Sequence, residues 1–359
     1  MQVARCRGKP PIGGLLSLLA GIVCLLAACA PTSQPVPDAP PTAPIALAQP
    51  SPTPLPTTVT PTLVTQPSPT LSPTVPLPTV SPTARLTNPP PTISPTASPT
   101  RLPIFDTHLH YNRDMGATLS PQAVLAKLER AGVARALVSS SPDDETRRLY
   151  GLAPDRVVPI LRPYYDDVNS ANWFQMPKVT PYLTERLKTP IYQGIGEFHL
   201  TGTAATAPVV RATTRLAVER GLFLHVHADA QAVSIILADQ PTARILWAHA
   251  GLIEPPATVA RMLAEHPTLW ADIAIREAEI APGGKLAAAW RDLFLEYPDR
   301  FTIGSDTWVP SRWDTYEQIL DFDRQWLAQL PPDIAEKIAY RNAARLFGAG
   351  PFLPQEGGR

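Results

Sequence analysis

Two histidines one residue apart, His108 and His110, sit in the run Phe105-Asp106-Thr107-His108-Leu109-His110. In an extended strand alternate side chains share a face, so both imidazoles point the same way and can grip one metal ion. Other residues able to ligate or move protons lie far apart in sequence. They are Glu197 in Gly194-Ile195-Gly196-Glu197-Phe198-His199, His227 in Leu224-His225-Val226-His227-Ala228-Asp229, His249 in Trp247-Ala248-His249-Ala250-Gly251, and Asp306 in Ile303-Gly304-Ser305-Asp306-Thr307. Each falls at the end of a short apolar run. His225 shares a face with His227 but lies one layer deeper, where it is expected to pack or hydrogen-bond. His199, Arg162, Tyr164 and Trp308 are rim residues, placed to meet substrate or simply to pack.

A repetitive scaffold would bring such scattered residues to one mouth. After Arg101 short apolar runs alternate with longer amphipathic ones, the pattern of repeated βα units around a parallel sheet. The candidate strands are Leu102–Asp106, Arg135–Ser139, Val157–Arg162, Ile191–Glu197, Leu222–His227, Arg244–His249, Thr268–Asp272 and Phe301–Asp306. Helical periodicity is clear in Pro121–Ala131, Val209–Arg220, Pro256–Glu265, Lys285–Tyr297 and Asp314–Leu330, with Pro332–Phe347 as a last helix. The second, third and fifth helices are not defined by the pattern. Strands and helices in this number over roughly 250 residues predict an α/β fold, a (β/α)8 TIM barrel, whose functional residues gather at the C-terminal ends of the strands. An open doubly wound sheet is the alternative.

The motifs resemble the amidohydrolase superfamily, in particular its amidohydrolase-2 branch, with a secondary similarity to TatD-type hydrolases. The marks are D-T-H-L-H on the first strand, H-A-D after the fifth, A-H-A-G after the sixth, G-S-D-T after the eighth, and the late Asn342-Ala343-Ala344-Arg345-Leu346-Phe347. The resemblance implies that His108, His110 and His227 bind a divalent metal, usually zinc. It implies that Asp306 binds metal or takes a proton from its water, and that His249 binds metal or steadies charge developing on the substrate. A zinc site with an open position lowers the pKa of its water to about 7, giving a hydroxide nucleophile. A carboxylate such as Asp306 can then serve as general base, and a cation offsets charge on the attacked oxygen. Glu197 distinguishes the subfamilies. A bridging Glu197 implies two ions, as its G-E context resembles TatD-type enzymes; a Glu197 facing substrate leaves one, the count favoured here.

The expected activity is therefore hydrolysis of a small-molecule ester, lactone or amide by metal-bound hydroxide. A TatD-like phosphoester hydrolase or nuclease and an amidohydrolase-2-type decarboxylase are the enzymatic alternatives. A surface-tethered binding protein on a retired barrel is the non-enzymatic one. A formal net charge of +0 offers no footprint for nucleic acid, so a small-molecule substrate is the expected partner. Oligomeric state has no sequence signal.

The front of the chain addresses location. Residues 1–28 read as an export signal, with a basic start and an apolar run from Ile12 to Ala28. Leu26-Ala27-Ala28-Cys29 resembles a bacterial lipobox, so Cys29 is expected to carry lipid. Residues 29–101 form a Pro/Thr/Ser-rich tether that cannot bury enough apolar surface to fold, able to reach on the order of 200 Å as polyproline II. The domain spans 102–350, followed by a tail at 351–359. Cys6, Cys24 and Cys29 are the only cysteines, so the exported domain has none for disulfides or metal. The expected location is extracytoplasmic, held to a membrane by the lipid alone, at a cell surface or in a periplasm.

Overall fold

A computed structural model describes residues 101–348. The expected signal, Cys29, the tether up to residue 100 and the tail at 351–359 lie outside the described residues. Within them no helix is long and apolar enough to cross a membrane.

Eight parallel strands run in the order β1 to β8: Ile104–His110, Val133–Ser139, Val157–Leu161, Gly194–Leu200, Phe223–Ala228, Arg244–Trp247, Leu269–Asp272 and Phe301–Thr302. Each is followed by a helix, here α1 (Pro121–Arg130), α2 (Asp144–Leu152), α3 (Val179–Arg186), α4 (Pro208–Glu219), α5 (Ala230–Asp239), α6 (Pro256–Glu265), α7 (Ala288–Glu296) and α8 (Tyr316–Leu327). The architecture is the expected (β/α)8 barrel. Ser120 starts α1 by accepting the Ala123 N–H at 3.2 Å, with Pro121 at the first helical position. Asp229 caps α5 in the same way, accepting from Ala232 N at 2.7 Å. α5 escapes pattern reading because Ala-Val-Ser-Ile-Ile-Leu-Ala is apolar on nearly every side, and five of its residues are buried.

The barrel closes where β1 meets β8. Thr107 N donates to Ile303 O at 2.8 Å and Asp306 N to His108 O at 2.6 Å. Side chains stitch the same seam. Thr107 Oγ1 lies 2.7 Å from Thr302 Oγ1, and Thr307 Oγ1 accepts from His110 N and donates to His110 O. Ser305 gives both its backbone N–H and its hydroxyl to Asp106. The polar letters of D-T-H-L-H and G-S-D-T that are not ligands thus hold the first and last strands together.

Two boundary differences matter for the site. β1 extends through His110 and carries one residue more than β2 between Asp106 and Leu109. Phe105 and His108, three residues apart, would face opposite ways on a regular strand; the extra residue restores them to the same side. Phe105 then packs beneath the barrel against Tyr340 and Phe347, with ring centroids 6.0 and 6.2 Å away, while His108 and His110 point into the mouth. β4 begins at Gly194, three residues later than the sequence pattern suggested, and has a second such irregularity between Gly196 and Phe198. Gly196 is indispensable there: its φ is +139°, and a Cβ would lie 2.2 Å from His225 O.

Candidate metal centre

The mouth is built from strand ends. His108 and His110 arrive on β1, Glu197 on β4, His227 on β5, His249 in the turn after β6, and Asp306 in the loop after β8. Each predicted residue reaches one polar cluster, and most are buried to the last few per cent.

The hydrogen bonds at the back of each ring decide what faces forward. His108 Nδ1 lies 3.2 Å from Asp272 Oδ2, and a carboxylate only accepts, so the ring proton sits on Nδ1 and the Nε2 lone pair is free. His249 Nδ1 lies 3.0 Å from Ala274 O and must likewise donate, leaving Nε2 bare. His110 Nδ1 is 2.8 Å from Ser139 Oγ, which holds its ring edge-on to His108. Three Nε2 atoms therefore converge. His108 and His110 Nε2 are 3.2 Å apart, and Asp306 Oδ1 is 3.5 and 3.2 Å from them. Asp306 holds a left-handed φ of 45° and His249 one of 56°, a backbone cost sustained where the surrounding structure fixes the residue.

Glu197 lies at the centre. Its Oε1 is 3.0 Å from His227 Nδ1, 3.5 Å from His108 Nε2 and 3.7 Å from His249 Nε2. Its Oε2 is 3.1 Å from His110 Nε2 and 3.0 Å from Arg162 Nη2. The donors fall into four overlapping groups among the described residues: His108–His110–Asp306, His108–His225–Asp272, His108–Glu197–His249 and Glu197–His199–His227. His227 thus joins Glu197 and His199 in the last of these, and its ring stacks on His199 at 4.3 Å. His225 behaves as expected, with Nε2 2.9 Å from Asp272 Oδ2.

Electrostatics reflect the crowding. Burial opposes charge on His108, yet Asp272, Asp306 and Glu197 raise its pKa well above the ordinary imidazole value. Burial would raise Glu197, but the charge on His108 and hydrogen bonds from His108, His110 and His227 hold it well below the usual carboxylate range. Asp306 is lowered to about 2 against its burial, chiefly by His108 and then His110.

A divalent metal fits these residues. His249 Nε2 and Asp306 Oδ1 are buried and have no hydrogen-bond partner, though each faces the other ligands. Buried polar atoms are rarely left so. A cation among His108, His110, His249 and Asp306 satisfies both.

Asp272 is the functional residue that sequence reading missed. Fully buried at the end of β7, it binds His108 Nδ1, His225 Nε2, His249 N and Ala274 N through its two oxygens. Such a carboxylate fixes the tautomer and angle of a ligating imidazole. Its only sequence signal was its position, a lone carboxylate closing a candidate strand. Gly304 is the other silent participant, since a Cβ there would meet the His108 Cβ at 2.6 Å.

Above the cluster opens a cleft of about 770 Å³. Arg162, Tyr164, His199 and Trp308 line it, the predicted rim, together with Tyr165, Leu252 and Ile275.

A barrel with histidines and carboxylates converging at its C-terminal mouth is the architecture of a metal-dependent enzyme. Residues 183–349 match the family model described as Amidohydrolase. Among solved structures it is similar to a probable 2-pyrone-4,6-dicarboxylic acid hydrolase from Acinetobacter baumannii with citric acid bound. That likeness has 15% identity and a TM-score of 0.49, covering 68% of this chain and 99% of that one. A Burkholderia multivorans amidohydrolase with bound Zn is similar at 17% identity and a TM-score of 0.47, covering 69% and 99%. An amidohydrolase 2 from Bifidobacterium longum subsp. infantis is similar at 17% identity and 0.43, covering 69% and 99%. No curated protein matches the sequence.

Proposed function

We propose that this enzyme hydrolyses a small-molecule ester, lactone or amide with the help of one divalent ion, most suitably zinc, held by His108, His110 and Asp306 with His249 beside them. The observation that carries this reading is the pair of partnerless buried atoms, His249 Nε2 and Asp306 Oδ1, facing convergent imidazole lone pairs under an open cleft. A divalent ion in such a site supplies a Lewis acid that acidifies water and polarises the attacked oxygen.

The chain's own residues supply the rest. Asp306 is ionised, and beside the Oδ1 that would hold the ion it has a second oxygen, Oδ2, 3.8 Å from His249 Nε2, which can accept a proton from the attacking water and return it to the leaving group. His249, fixed by Ala274 O, holds its Nε2 near the reacting centre. Asp272 keeps His108 and His225 in register from behind. Tyr165, Leu252, Ile275 and Trp308 give the cleft an apolar wall that shields the reaction from bulk water.

A TatD-like phosphoester hydrolase with two ions is favoured by one observation: Glu197 presents one oxygen to His110 and the other to His227, the disposition of a bridge. The neutral chain provides no broad cationic surface for nucleic acid. For location, we propose a lipid-anchored extracytoplasmic enzyme, on the strength of Leu26-Ala27-Ala28-Cys29 and the tether.

The test is elemental analysis of the full-length chain and its His108→Ala/His110→Ala variant, with ester, lactone, amide and phosphoester substrates assayed in parallel. One equivalent of metal and carboxyl-ester, lactone or amide turnover, both lost in the variant, are expected. Absence of metal after reconstitution would sink the reading; turnover of phosphoesters alone would replace it with the second.

A further inference from the structure

Glu197 is shared between two donor groups, and the second of them, Glu197–His199–His227, is nearly a complete ligand set. His199 is held for it: Tyr164 OH accepts the His199 backbone N–H at 2.8 Å and lies 2.9 Å from His199 Nδ1. The same hydroxyl steers the ring, and His199 Nε2 turns toward Glu197 Oε1 at 3.9 Å. What distinguishes this group from His108–His110–Asp306 is a fixed positive charge. Arg162, just beyond β3, places Nη2 3.0 Å from Glu197 Oε2 and Nε 3.1 Å from Glu197 O, with both side chains more than nine-tenths buried. Its guanidinium also lies over the Tyr164 ring at 4.7 Å. Among the described residues no such cation touches either oxygen of Asp306; its close ionic neighbours are imidazoles.

We infer that Arg162 is a built-in substitute for a second metal ion, neutralising the carboxylate that would otherwise bridge two and so fixing the site at one. This inference rests on the metal-centre reading above and deepens it. Charge balance supports it. The carboxylates touching the imidazoles are Asp272, Glu197 and Asp306, and the guanidinium touching them is Arg162. Three negative charges against one positive leave two, the complement of a single divalent ion with neutral imidazole ligands. A second ion would leave the buried cluster doubly positive. Arg162 cannot escape this by losing its proton, as a lysine could.

A full charge at this range shifts a neighbouring equilibrium by roughly ten- to a thousandfold, and the second-site affinity is the quantity to read. The full-length chain is stripped with chelator and titrated with zinc, and bound equivalents are counted by elemental analysis and by calorimetry. Wild type is expected to hold one equivalent, Arg162→Gln two, and Arg162→Gln/Glu197→Gln one again. Glu197→Gln alone, a near-isosteric change that also serves if Arg162→Gln does not fold, is expected to keep its single equivalent. Two equivalents in wild type, one in folded Arg162→Gln, or loss of the ion in Glu197→Gln overturns the inference. Absence of zinc from wild type overturns the metal-centre reading itself, and the inference with it.

Discussion

The two ends of this barrel are built on opposite principles. The floor is largely apolar: Phe105, Phe223, Leu246, Tyr340 and Phe347 pack together, with the Arg135 and Arg244 guanidiniums over the Phe105 and Phe223 rings at 5.4 and 3.7 Å. The mouth gathers buried histidines and carboxylates, and several of its residues (His249, Ala250, Ile275 and Asp306) hold positive φ. Apolar burial dominates the floor; at the mouth, buried carboxylates and imidazoles form a cluster that a cation would balance. One strand serves both ends, since β1 sends Phe105 down and His108 and His110 up.

The sharpest way to break this contrast is at the mouth. His108→Ala/His110→Ala should abolish metal binding and reduce turnover at least about a thousandfold while leaving the apolar floor intact, as circular dichroism would register. A variant that unfolds would mean that the mouth also carries the fold. The reverse experiment is Phe105→Ala, expected to cost about 3–5 kcal/mol of stability, read from denaturant unfolding, with metal stoichiometry unchanged in the folded fraction. Less severe is Asp272→Asn, which leaves His108 and His225 without their shared acceptor. A ten- to hundredfold loss of metal affinity, about the usual effect of removing such an outer carboxylate, is expected by chelator competition.

The smallest effect lies away from both ends and shows what the cation at the mouth accomplishes. Asp323 on α8 is buried almost as fully as Asp272, but its partner is the Trp326 indole N–H at 3.0 Å. With no imidazole beside it, burial pushes its carboxyl up to about 8. Its folded pKa thus lies above the unfolded value, so folding takes up a proton between about pH 4 and pH 8, and stability falls as pH rises through that window. Asp323→Asn should remove this slope. The linkage is worth at most about 1.4 kcal/mol per pH unit, and a gain on the order of 1–2 kcal/mol at pH 8, shrinking toward pH 5, is expected from melting curves. A wild-type curve that is flat over this range would show Asp323 to be ionised in the fold.

How far the sequence reached follows from the same contrast. Strand order, the barrel and six polar residues of the mouth were legible because apolar runs and strand-end letters are local signals. The bulge in β1 and its counterpart at Gly196 were not, since an extra residue shows itself only against the partner strand. Asp272 was hidden for a related reason: its significance lies in His108 and His225, which meet it only after folding. The α5 helix was lost to its own lack of a polar face, and the grouping of His227 with Glu197 depended on the pairing of His199 with His227 across β4 and β5.

The seam between β1 and β8 has a topological consequence. His108 and His110 belong to the first strand and Asp306 to the loop after the last, so a bound ion joins residues nearly two hundred positions apart in the chain. It would act as a clasp on the ring, closing a loop that contains nearly the whole barrel. Closure and activity would then both wait on the arrival of the final strand.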